Sequence, residues 1–153
     1  MQNIPALIQI LYSKDAKAAY QALMELQAAG AKSAVLYPHW EEFLSMLSNP
    51  NSYVRSRGLL LLASTAQWDR YGRMEQAIGS YLEHVTDEKP ITARQCLKGL
   101  PTILKAKPQL LPIVRAALLC ADTSCYGDSM RPLVQGDIDA VLGWMETQES
   151  PMT

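Results

Sequence analysis

A basic residue returns along this chain at nearly constant spacing. Lys17, Arg55, Arg94 and Arg131 each follow a small or apolar residue (Ala16, Val54, Ala93, Met130) and lie 38, 39 and 37 residues apart. The bases sit in four segments that align with one another: Lys14–Leu26, Ser52–Ser64, Ile91–Ile103 and Asp128–Ala140. A period in this range is the signature of a repeat architecture, in which one structural unit cannot bury its apolar face alone and stacks on the next.

Each aligned segment is preceded by a second apolar stretch: Ile4–Leu11, Tyr37–Leu47, Met74–Val85 and Leu110–Leu119. In the second, Trp40, Phe43, Leu44 and Leu47 recur at i, i+3, i+4 and i+7, one face of a helix. Met74, Ile78, Tyr81, Leu82 and Val85 repeat the pattern, as do Leu110, Leu111, Val114, Leu118 and Leu119. Turn signals part the two members of each pair. Ser48-Asn49-Pro50-Asn51 and Thr86–Pro90 do so in the middle of the chain, Ser13–Asp15 near its start and Asp122–Gly127 near its end. Proline disfavours helix in the residue before it and suits a helix's first turn, so each proline reads as a stop followed by a start. Leu and Ala supply 39 residues against 14 for Val and Ile. That balance favours helix, where straight side chains lose little rotamer freedom.

The expected fold is therefore all-α. Its unit is helix A, a short turn, helix B and a longer connection. Four units, over about 3–30, 36–68, 70–105 and 108–148, account for nearly all 153 residues as one domain, 1–150. Stacked, they make a right-handed α-α superhelix, a solenoid with a continuous core.

The residues also resemble a family. Asn49-Pro50 followed by Val54-Arg55 and a small-residue and Leu pattern looks like a HEAT repeat, and Asp87, Pro90, Ala93-Arg94 and Leu97–Leu100 look like a second copy. The outer copies depart: the first has Lys17 in place of Arg, and the fourth has Asp137 where the others place Leu23, Leu61 and Leu100. Gly136 beside it predicts a kink or split, with Asp137 capping a final helix to about Gln148. The chain resembles small bacterial HEAT-repeat proteins of the armadillo type. The resemblance implies an α-solenoid and a binding role, with no defined chemistry.

The ladder of bases carries two readings. In the resembled family an arginine at this place bonds an Asp or a carbonyl in the turn of its own or the next repeat, and Asp87 and Asn49 are suitably placed acceptors. The other reading is an anion-binding stripe on the concave face, to which Arg57 and Lys98 add. The candidate binding residues are thus Lys17, Arg55, Arg57, Arg94, Lys98 and Arg131. Trp68 and Trp144 each lie 14 residues after the residue preceding a base and read as seals between repeats or as exposed anchors for a partner. Trp40 reads as core.

No catalytic, cofactor or metal site emerges. Cys96, Cys120 and Cys125 form no Cys-x-x-Cys pair and read as reduced, partly buried small hydrophobes. His39 opens a helix, and His84 near a helix end is explained by the helix dipole. Glu41-Glu42 reads as a solvated face, and the eight glycines are scattered rather than gathered into a phosphate loop. The first residues lack the basic start of a secretory signal, and the longest aliphatic run, Leu59–Leu62, is far below the ~20 residues that span a bilayer. The expectation is a cytoplasmic, non-enzymatic scaffold, monomeric or weakly self-associating, that binds a protein partner. The alternative is nucleic-acid binding, by similarity to HEAT-like DNA alkylation repair proteins. Those are longer and have a strongly basic groove, whereas this chain carries a net charge of −1.

Overall fold

The computed structural model describes residues 3–149. Helices take up 82% of them, and there is no strand among the described residues. The eight α-helices are α1 (Ile4–Ile10), α2 (Ala16–Lys32), α3 (Trp40–Met46), α4 (Ser52–Thr65), α5 (Arg73–Leu82), α6 (Pro90–Ala106), α7 (Leu111–Cys120) and α8 (Arg131–Glu149).

Their starts follow from local chemistry. Asn3, Asp15 and Asn51 sit in extended backbone and accept from the amides of Ala6, Ala18 and Tyr53, each meeting an N–H that has no partner inside its helix. Pro90 opens α6, where its missing N–H costs nothing. Three of the apolar stretches are part α-helix and part tighter 3₁₀ turn: Ala34–His39 before α3, Glu83–Thr86 after α5 and Pro108–Leu110 before α7. Pro38 and Pro108 lack the amide that would continue an α-helical ladder through those turns.

The fourth unit corrects an expectation. Helix α8 runs unbroken through Gly136, and Asp137 lies inside it rather than capping it. An internal glycine costs about 1 kcal/mol. Val134, Ile138, Val141 and Met145, all buried on one face of α8, outweigh that cost.

The even-numbered helices touch in succession, α2 to α4, α4 to α6 and α6 to α8, while α1 packs on α2, α3 on α4 and α7 on α8. The buried side chains form one connected core, with Trp40, Phe43, Leu61, Tyr81 and Leu97 among its fully enclosed members. Two glycines set the closest approaches. A methyl on Gly58 would stand 2.7 Å from Met46 Cβ and 2.9 Å from the Phe43 carbonyl, so only glycine lets α4 lie this close to α3. A methyl on Gly99 would meet the Tyr81 hydroxyl and stand 3.0 Å from Ala63 Cβ. No described helix is long and apolar enough to cross a membrane.

Candidate functional site: a groove between α6 and α8

The six candidate bases do not share one environment. Arg55 and Arg57 are buried, at 6% and 8% exposure. Arg94 is half-buried, and Lys17, Lys98 and Arg131 are exposed. The Arg55 guanidinium donates Nε and Nη2 to the two carboxylate oxygens of Asp87, at 3.0 and 2.8 Å. Its Nη1 donates to the carbonyls of Asn49 and Pro50, at 3.0 and 3.1 Å. A planar fork can satisfy all four acceptors at once, which a lysine could not. Arg57 donates Nη1 to the Leu11 carbonyl at the end of α1, 2.7 Å away. Arg131 donates Nε to the Thr123 hydroxyl at 3.3 Å.

Asp87 is the hub of this network. Burial alone would raise its pKa; bonds from Arg55, from His84 Nδ1 at 2.7 Å and from the Lys89 amide hold it below the ordinary carboxylate range. Its backbone carbonyl accepts from the Tyr126 hydroxyl at 2.6 Å, 39 residues on. His84 is thus occupied by a carboxylate, a more specific partner than the helix dipole.

A second buried carboxylate, Asp69, lies in the connection between α4 and α5. It accepts from Tyr37 at 2.5 Å and from the amides of Arg73 and Met74 at 3.0 and 2.7 Å. Lys107 Nζ stands 3.2 Å from its carboxylate and 3.1 Å from Glu75. Burial would raise the Asp69 pKa, but the bond from Tyr37, the two amides and Lys107 overcome it and bring it to about 2. Next to Asp69, Trp68 donates its indole N–H to the Gly30 carbonyl at 2.6 Å. The sequence reading missed Asp69 and Lys107. The available signal was their separation of 38 residues, the repeat length itself.

These networks are inward-facing. A groove of about 440 Å³ open to a ligand lies between α6 and α8. Its apolar lining includes Ile91, Pro101, Ala140 and Trp144. Ile91 is 55% exposed, an unusual display for an isoleucine, and Trp144 is half-buried with part of its ring packed on the core. The polar lining includes Arg94, Lys98 and Asp137. Arg94 donates Nε to Asp137 Oδ2 at 2.7 Å and Nη2 to Oδ1 at 3.4 Å. Lys98, one helical turn along α6, makes no ion pair among the described residues. The groove therefore unites two of the six candidate bases, Arg94 of the ladder and Lys98, with one of the two tryptophans in question. It also takes in Ile91 and Pro101, which the base pattern alone did not single out.

The remaining reactive side chains stay apart from this groove. Cys96 is fully buried and exchanges bonds with Tyr81: the Tyr81 hydroxyl donates to the Cys96 carbonyl at 2.7 Å and the thiol to the Tyr81 carbonyl at 3.4 Å. Burial, then the charge of Asp87, push its thiol well up, which disfavours the nucleophilic thiolate. Cys120 and Cys125 are exposed rather than partly buried. Cys120 is the last residue of α7, and Cys125 lies in the 3₁₀ turn between α7 and α8. Among the described residues no group of three or more His, Cys, Asp or Glu side chains is placed to hold a metal ion.

No protein-family model, curated protein or solved structure matches this chain. Among the described residues, fold and site define an all-helical protein with an apolar groove edged by charge.

Proposed function

We propose that the chain is a short HEAT-like α-solenoid acting as a non-enzymatic binding module for a protein partner, held in the groove between α6 and α8. The observation that carries this reading is the groove's make-up: exposed Ile91 and half-buried Trp144 beside Arg94 and Lys98. Aromatic and arginine side chains supply most hot spots at interfaces, and a volume of this size falls within the roughly 300–1,000 Å³ of ordinary ligand pockets. The succession α2, α4, α6, α8 supports the solenoid, since repeats of this kind contact only their neighbours.

Site-directed photo-crosslinking tests the reading. A photoreactive residue at Ala140, in the groove, should capture a partner inside the cell that a probe at Tyr20 on α2 does not. Equal capture at both positions, or none at Ala140, would remove the proposal.

A further inference from the structure

The groove's charge differs in sign from that of the whole molecule. The chain carries −1 overall. The charged side chains lining the groove are Arg94, Lys98 and Asp137, two cations and one anion. Asp137 is taken up by Nε and Nη2 of Arg94. That leaves Lys98 and the Nη1 of Arg94 without an acidic partner among the described residues. Both lie beside an apolar lining into which a hydrophobic side chain fits.

We infer that the groove takes an acidic protein segment: an apolar side chain set against Pro101 and Trp144, with an Asp or Glu beside it that meets Lys98. This rests on the reading of the groove as a protein-binding surface. Complementary charge at the edge of an apolar site fixes register and excludes wrong partners more than it adds affinity. A basic segment would meet two like charges. Nucleic acid needs several phosphate contacts, and the groove has two bases over an apolar floor. Asp137 has a defined part here. It holds Arg94 in place and competes with the incoming carboxylate for it.

The test is selection of a phage-displayed library of random short peptides on the full-length protein, followed by affinity measurement of the winners. Enriched peptides should pair an aromatic or aliphatic residue with a nearby Asp or Glu. Lys98→Glu should weaken them by about fivefold or more, and Asp137→Asn should tighten them. Trp144→Ala should weaken them by about tenfold or more. If that variant unfolds, Ile91→Asp, on the exposed rim, replaces it. Groove-dependent peptides that are neutral or basic, or that Asp137→Asn weakens, would overturn the acidic assignment and leave the binding function standing. No enriched peptide, or binding indifferent to Trp144 and Ile91, would overturn both. A dimer in sedimentation that Ile91→Asp dissolves would put a second copy in the groove, and that also overturns the inference.

Discussion

The ammonium of Lys107 lies 3.0 Å from the backbone carbonyl of Asp69, 38 residues upstream. Trp68 reaches the carbonyl of Gly30 across the same separation. Thr92 bonds the Ser52 carbonyl 40 residues back and Tyr126 that of Asp87 at 39. The period seen in the bases is therefore also, within two residues, the span of these four bonds between one helix pair and the next.

Asp69 should make the protein acid-sensitive in a defined window. Its folded pKa of about 2 lies below the ordinary 3.8. A carboxyl depressed in this way stabilises the fold above the unfolded pKa, and the contribution is lost as pH falls from about 4 towards 2. At neutral pH it amounts to about 2 kcal/mol. Urea unfolding of Asp69→Asn should show that loss at pH 7 and a shallower decline between pH 4 and 2. Parallel stability curves for the two proteins would refute the assignment.

The two arginine–aspartate pairs should respond unequally to truncation. Arg55→Met leaves Asp87 buried and short of its main donor, which costs roughly 3–5 kcal/mol. Arg94→Met breaks a pair whose side chains are 37% and 31% exposed, where solvent screening leaves little to lose, so its cost should be far smaller. Thermal denaturation of both variants measures the difference, and equal losses would contradict the distinction between them.

Gly99→Ala should destabilise through one atom. Its methyl runs into the Tyr81 hydroxyl, and relief requires breaking the bond from Tyr81 to the Cys96 carbonyl. The expected cost is about 1–3 kcal/mol. Tyr81→Phe removes the obstructing oxygen, so the double variant should be more stable than the sum of the single losses predicts. Strict additivity in this cycle would show that the crowding lies elsewhere.

A labelled DNA duplex should remain unbound even at low salt. Arg55 and Arg57 are enclosed and bonded to protein acceptors, and Arg94 is held by Asp137. Only part of the ladder is left to meet phosphates. A shifted band whose affinity falls steeply with salt would overturn this expectation.

The helical content and the pairing of stretches were legible because apolar periodicity and turn residues are local signals. So was the pair of acceptors open to Arg55, since Asn49 and Asp87 lie in turns at matching places. The unbroken α8 was not legible, because Gly136 is locally unfavourable and only burial of Ile138 and Val141 against neighbouring helices reverses the balance. Asp69 and Lys107 stand in connections, where no periodic pattern marks a residue. The groove escaped for a related reason: Ile91 and Trp144 come together only when α6 and α8 pack, and nothing in either segment alone reports the gap left between them.

Among the described residues the longest side-chain hydrogen bond, Arg57 to Leu11, joins positions 46 apart. None reaches from one end of the chain to the other. Mechanically the molecule is built as a row of latches rather than a closed ring. On the solenoid reading proposed above, a chain under tension should yield in steps, one helix pair at a time, with the pairs still in place keeping their own latches shut.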